Sequence, residues 1–264
     1  MINLAAIGAI FALQGKIAVV TGAATGIGRE TALLYARAGA GIAALDLNAE
    51  GLATLVAEIE GAGGRAVAVV MDQGDPASIQ AAFATVEAEF DRIDVLLNCA
   101  GIYPRIHFEA ATPDFLDRIF DINMRGVFLC TQEAVKRMKA SGGGSIINIS
   151  SVTSLKAGIY DNSQYGMTKA ALNALTVSIA LEYAEHNIRV NAILPGGIAT
   201  QHAMASGSEG DPLRGPFMQA GRVPLGAQKG TPDVIANACL FLAGDASAFV
   251  TGQLLAVDGG FLIS

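Results

Sequence analysis

Short apolar runs rich in β-branched residues alternate along this chain with stretches of helical spacing, and that alternation constrains the fold more than any other feature. The runs cover residues 16–21, 41–45, 65–71, 93–97, 145–149, 188–194 and 253–257. Each is nearly continuous in apolar residues and closed by turn-forming ones, as expected of strands buried on both faces of a parallel sheet. Helical stretches fall between them, over 27–37, 49–61, 76–90, 112–139, 163–185 and 231–242. Pro76, Pro113 and Pro232 stand at first-turn positions, where a missing N–H costs nothing. In the first helix, Ile27, Ala32, Leu34, Tyr35 and Ala38 are the candidates for the inner face. Strict alternation predicts an α/β fold: one doubly wound domain, with a mostly parallel seven-stranded sheet and helices on both faces. No linker or break in composition divides residues 1–264. Residues 1–13 read as an apolar N-terminal arm. Residues 199–230, rich in Gly, Pro, Ser and Met, read as a substrate loop.

Open α/β sheets place ligands at the carboxyl ends of their strands. The first such end is Thr21-Gly22-Ala23-Ala24-Thr25-Gly26-Ile27-Gly28, leading into the first helix. Glycines there permit a tight turn and close approach of backbone to a pyrophosphate, which a helix N-terminus attracts. The spacing is Gly-x-x-x-Gly-x-Gly, which differs from the common dinucleotide fingerprint. The second run ends in Asp46, followed by Leu47. A carboxylate at that place accepts ribose hydroxyls and repels a 2′-phosphate. No arginine or lysine stands obviously ready for that phosphate, so NAD is the expected cofactor. Asp72, followed by Gln73, ends the third run. Asp72 either meets the adenine amino group or caps a turn.

Tyr165 and Lys169 are four residues apart, on one helical face and about 6 Å apart along its axis. An ammonium beside a phenol favours the phenolate and lowers its pKa from about 10. Ser151 follows the run 145–149, at another strand end. A hydroxyl, a tunable phenol and a cation at one sheet edge suit proton exchange with a carbonyl or alcohol oxygen. Alone, the Tyr-x-x-x-Lys spacing is common by chance, and its weight comes from the surrounding motifs.

Net charge is −7 with no basic cluster, which argues against nucleic acid as a partner. Cys99, Cys130 and Cys239 are scattered without zinc spacing and fit a reducing, cytoplasmic compartment. His107, His186 and His202 make no metal pattern. The segment 1–13 lacks the basic region of a secretory signal and is too short to span a bilayer. Only 16% of residues are charged while 52% are hydrophobic. Both faces of a large sheet must therefore be covered, and further apolar surface can lie between subunits.

With these motifs in order, the chain resembles a short-chain dehydrogenase/reductase over roughly Leu13 to Leu262. The resemblance rests on TGAATGIG at 21–28, NCAG at 98–101, Asn123, ISS at 149–151, YGMTK at 165–169, PGGIAT at 195–200 and VDGG at 257–260. It implies a Rossmann-like domain with a nicotinamide cofactor. Asn123 is then expected to hold a water in a proton relay, and Ser151 to donate to the substrate oxygen. Tyr165 is expected as acid–base catalyst, and Lys169 as binder of the nicotinamide ribose. Asn98, Ala100 and Gly101 are expected on the adenosine side. Pro195, Gly196, Ile198 and Thr200 are expected at the nicotinamide end. Cys99 departs from the family's second asparagine. The resemblance also implies a homotetramer, paired through the long helices and around the C-terminus.

The implied reaction interconverts a secondary alcohol and a ketone with NAD. By family geometry the substrate pocket lies among 102–107, 152–160 and 199–220, with Ile102, Tyr103, Leu155, Ile159, Tyr160, Met204, Phe217 and Met218 making it mostly apolar. Tyr160 is a candidate substrate contact beside Ser151 and Tyr165. Arg105 and Lys156 are expected on solvated surface. Glycines 207, 210 and 215 suggest a lid that orders on binding. Alternatives are a sugar or polyol dehydrogenase, a 3-oxoacyl reductase, and a non-catalytic nucleotide-binding regulatory protein.

Overall fold

The computed structural model describes residues 8–200, 213–219, 221–226 and 229–264. Strands β1 (Ile17–Thr21), β2 (Gly41–Asp46), β3 (Ala66–Val70), β4 (Val95–Asn98), β5 (Gly144–Ile149), β6 (Ile188–Pro195) and β7 (Leu254–Val257) form one seven-stranded sheet. Its order is β3-β2-β1-β4-β5-β6-β7, and every pairing is parallel. The order reverses between β1 and β4, which opens a crevice at their carboxyl ends.

The connecting helices are α1 (Gly26–Arg37), α2 (Ala49–Gly61), α3 (Pro76–Glu89), α4 (Pro113–Phe120), α5 (Val127–Ser141), α6 (Ser163–Glu182) and α7 (Pro232–Ala243). Side-chain alternation along β1 divides the core. Ala18 and Val20 pack with α1, α2 and α7, whereas Val19 packs with α3, α5 and α6. Tyr35 on α1 is fully buried, and its hydroxyl donates to the Cys239 carbonyl of α7 at 3.1 Å. Burying that ring stabilises the α1–α7 contact by about 2 kcal/mol, and the bond satisfies its polar tip. On α1 the structure corrects one inner-face assignment: Leu33 is buried, and Leu34 only half so.

The stretch expected as one long helix over 112–139 is continuous but not uniform. Residues Asp121–Gly126 form a wide π turn between α4 and α5. Two close contacts fix it. A Cβ on Gly126 would lie 2.2 Å from the Gln73 carbonyl oxygen, so glycine alone permits this approach to the β3–α3 loop. Gln73 Nε2 also donates to the Ile122 carbonyl at 2.9 Å. Such turns are frequent at functional sites, and this one holds Asn123. Helical periodicity carries no sign of it, because the cause lies in a distant loop. The expected lid over 199–220 falls largely on 201–212, outside the described residues, as do residues 1–7 of the arm.

Candidate active site

The turn from β1 to α1 is stitched to the end of β4. Thr21 Oγ1 accepts from the Cys99 and Ala100 N–H groups, both at 3.1 Å. Gly22 has φ +69°, and a Cβ there would meet the Ala100 backbone at 2.8 Å. At Gly28 a Cβ would lie 2.1 Å from the Gly22 oxygen, so this glycine serves helix packing and does not line a cleft. Helix α1 then begins without a side-chain cap or an acidic residue in its first turn. By contrast Asn48, Asp75 and Thr112 cap α2, α3 and α4. Thr25, Gly26 and Ile27 line the crevice, so the free N–H groups and positive dipole of α1 stand at its edge.

Asp46 is held in place by two backbone donors, Ala24 N–H at 3.0 Å and Asn48 N–H at 2.9 Å. It shares the crevice with Leu47, Asp72 and Gln73. Asp72 takes the turn-capping role, accepting from Gly74 N–H at 2.8 Å, while still facing the crevice. Gln73 is buried, donates to the Ala100 and Ile122 carbonyls, and leaves its Oε1 without a partner. Ala100 and Gly101 continue the lining towards Lys169. Asn98 does not reach it. Its side chain is buried inside the sheet, donating to Asn148 Oδ1 at 2.8 Å and Thr131 Oγ1 at 3.0 Å, so the expected cofactor contact is a structural link.

A second, mostly apolar cleft adjoins the first. Pro195, Gly196, Gly197 and Ile198 form one side, and Ile159, Leu213, Phe217 and Met218 another. Ser151 lines only this cleft and Lys169 only the first, whereas Tyr165 and Thr200 line both. Tyr160 is not part of it. It is 56% exposed, and its neighbour Ile159 takes the inward position. Leu155 is likewise exposed, Ile102 lines the first cleft, and Met204 lies outside the described residues. Lys156 is half-buried and donates to the Phe261 and Ser264 carbonyls, and Arg105 lines the apolar cleft.

Ser151 follows β5 and caps a short 3-10 turn, Val152–Ser154. Its Oγ accepts from Thr153 N–H at 3.1 Å and from Thr153 Oγ1 at 2.8 Å. With both lone pairs used, its own hydrogen is left to donate, and the influence of Ser151 on the Tyr165 phenol is that of a donor, lowering it. Nothing in the sequence marks Thr153; only the turn geometry reveals it. Tyr165 stacks edge-on against Tyr103, with ring centroids 5.8 Å apart. Lys169 is buried, donates to the Ile149 carbonyl at 2.8 Å, and sits 5.5 Å from the Tyr165 ring centroid. Burial lowers the Lys169 ammonium to about 8. Burial also pushes the Tyr165 phenol above its ordinary value, more than the Ser151 hydrogen bond lowers it. The expected depression of Tyr165 is therefore corrected for the cleft as it stands: desolvation is the largest influence on the phenol and raises it.

Asn123 is fully buried in the π turn. Its Oδ1 accepts from Ile102 N–H at 2.8 Å and its Nδ2 donates to the Ile102 carbonyl at 2.7 Å. Both ends of the amide thus clamp the segment after β4.

A family model described as enoyl-(acyl carrier protein) reductase matches residues 22–262. A 3-oxoacyl-[acyl-carrier-protein] reductase of Thermotoga maritima is 39% identical over 254 residues, covering 95% of this chain and 99% of that protein. The chain belongs to the short-chain dehydrogenase/reductase family. It is an oxidoreductase with a nicotinamide-binding fold. Among solved structures of the family, a gluconate 5-dehydrogenase from Burkholderia cenocepacia, in complex with NADP and tartrate, superposes with TM-score 0.87. The two are 35% identical, with 98% of this chain and 99% of that one covered. A 7α-hydroxysteroid dehydrogenase complexed with NADH and 7-oxo glycochenodeoxycholic acid also gives 0.87, at 31% identity and 98% coverage of each chain. No helix among the described residues is long and apolar enough to cross a membrane, and none of their His, Cys, Asp and Glu side chains cluster as a metal site.

Proposed function

We propose that this family member is an NAD(H)-dependent oxidoreductase interconverting a secondary alcohol and a ketone, with Tyr165 as general acid and base. The observation that carries the reading is the division of the site: Ser151 on the apolar cleft, Lys169 on the other, and Tyr165 on both. The residues present fit a dinucleotide. The uncapped start of α1 suits a pyrophosphate, Asp46 suits ribose hydroxyls, and the orphaned Gln73 Oε1 offers a buried acceptor in the same crevice. When bound, the nicotinamide supplies or accepts the hydride. The chain does the rest. Ser151, oriented by Thr153, and Tyr165 donate to the substrate oxygen and stabilise negative charge as it grows there. Tyr165 passes its proton to that oxygen in reduction and takes it back in oxidation. Lys169 holds a positive charge beside the phenol and, through Ile149, is anchored to the end of β5.

Asp46 supports NAD(H) over NADP(H). Arg29 lines an adjoining hollow with Asn48 and Thr54, and its charge is taken by Glu58 at 2.8 Å. We expect kcat/KM for NAD(H) to exceed that for NADP(H) by at least about tenfold, roughly 1.4 kcal/mol. Asp46→Ala should shrink the ratio, because it removes the repulsion. A preference for the phosphorylated cofactor, which the gluconate 5-dehydrogenase carries, would overturn this assignment.

The apolar lining favours a substrate with substantial apolar surface, and the steroid dehydrogenase is a relative with such a ligand. Sugar or polyol oxidation and 3-oxoacyl reduction are the runner-up chemistries, motivated by the other relatives. The deciding experiment follows cofactor absorbance in both directions with a hydroxysteroid, cyclohexanol, gluconate, L-rhamnose, D-threitol and a 3-oxoacyl thioester. Turnover of the polyols alone would reject the apolar-substrate reading. No turnover of any would reject the general one.

The three cysteines are unpaired, which suits the cytoplasm. A homotetramer is supported by two separate sets of exposed apolar side chains. Phe128, Val177 and Leu181 lie on α5 and α6, whereas Phe249, Leu255 and Ile263 lie around β7. Two self-complementary faces give a dimer of dimers. Light scattering should return about four times the chain mass of 27.0 kDa. A monomer at micromolar concentration would contradict it.

A further inference from the structure

We infer that Asp161, which lies outside both clefts, is a positioning residue that fixes the wall of the apolar cleft and so sets substrate affinity. The inference rests on the oxidoreductase reading above. Three loop segments supply that wall: Tyr103 and Arg105 from one, Ile159 and Asn162 from the next, Leu213 and Phe217 from the third. Loops gain their place from specific contacts more than from a core. Asp161 belongs to the second and makes such contacts with the other two.

Its carboxylate is shared between two segments. Oδ1 lies 3.0 Å from His107 Nδ1, and Oδ2 accepts from Arg214 Nη2 at 3.1 Å. Its backbone carbonyl accepts from Ile106 N–H at 3.1 Å. On either side the segments are joined again: Tyr160 N–H donates to the Arg214 carbonyl, and Phe217 N–H to the Gly158 carbonyl, both at 2.9 Å. Gln164, buried at the start of α6, donates to the Pro104 carbonyl at 2.8 Å. Asp161 itself has φ +60°, a conformation that aspartate and asparagine tolerate better than most residues. Residue type, backbone conformation and carboxylate geometry thus converge on one clasp. Asp161 faces the outer hollow beside Phe108 and Met167 and touches neither cleft, so it acts only through the segments it holds.

Asp161→Asn keeps the shape and the backbone preference and removes the charge. Arg214→Gln removes the other half of the pair. The side chains are 20% and 50% exposed, so each single variant should raise KM for the best panel substrate about three- to fivefold, the reach of a partly exposed ion pair. Values of kcat, cofactor KM and melting temperature should stay near wild type. The double variant should be no worse than Asp161→Asn alone, since the ion pair with Arg214 is already lost there. Hydrogen exchange provides a readout that needs no turnover. The Ile106, Tyr160 and Phe217 amides should exchange several-fold faster in the variants, while the amides of β1 and β5 stay unchanged. Unaltered exchange at those three amides, or additive effects on KM, or a cofactor KM that rises with substrate KM, would overturn the clasp. Should no panel compound turn over, the functional reading fails, and exchange alone decides the clasp.

Discussion

Tyr165→Phe should lower kcat by at least about 10²- to 10⁴-fold while leaving the fold intact. The substitution deletes one oxygen. The ring keeps its edge-on contact with Tyr103 at 5.8 Å and its place between the two clefts. Lys169 keeps its bond to the Ile149 carbonyl, and Ser151 keeps both donors from Thr153. What disappears is the proton route and one of two donors to the developing oxyanion. The loss should therefore fall on kcat, with cofactor affinity and melting temperature close to wild type. Stopped-flow single turnover with saturating cofactor separates these effects. Near-normal kcat in a folded, cofactor-saturated Tyr165→Phe protein would reject the assignment and leave Ser151 or Lys169 as the central group.

Much of this site was legible because its parts are local. The turn 21–28, the Asp46 strand end and the four-residue Tyr165–Lys169 spacing each express a short-range rule of strand, turn or helix. Their convergence follows from the sheet, since parallel strands deliver all their carboxyl ends to one edge. Long-range contacts were not legible. Asn98 reads like a crevice residue until Thr131 and Asn148 are seen to claim its amide. The π turn depends on Gly126 meeting Gln73, which no periodicity within the helix encodes. Tyr160 and Ile159 differ in fate within a segment tied to Arg214, far away in sequence, through Asp161 and the Tyr160 amide. The direction of the Tyr165 shift is hidden from the sequence for a related reason. Spacing shows that a cation is near, whereas only the packed site shows how strongly both groups are desolvated.

Lys169→Met should make the cofactor-free protein more stable at neutral pH and much less active. Burial lowers the folded-state pKa of Lys169 to about 8, against an ordinary 10.5. Below about pH 8 both folded and unfolded states are protonated, and the cost of burying the ammonium is fully present. Between about 8 and 10.5 the unfolded chain binds more protons, so this group makes stability rise with pH. The whole effect is on the order of 3 kcal/mol. Loss of the donor to the Ile149 carbonyl costs about 1 kcal/mol in the variant, so removal of the buried charge wins. The Cys99 and Cys130 thiols, pushed up to about 12 by burial, give the opposite slope at higher pH. Cys130 is unaffected by the substitution, whereas Cys99 is coupled to Lys169, so the difference between the two urea-denaturation profiles across pH 6 to 11 reports Lys169 together with that coupling. Activity should move the other way. Without the neighbouring charge the phenol is harder to ionise, so the alcohol-oxidation profile of the variant should be displaced to higher pH. Cofactor KM should rise as well, because the side chain lines that crevice. Greater stability with impaired catalysis is the expected signature of a charge retained for function. A Lys169→Met protein that is less stable at pH 7, with an unshifted pH profile, would assign this lysine to structure instead.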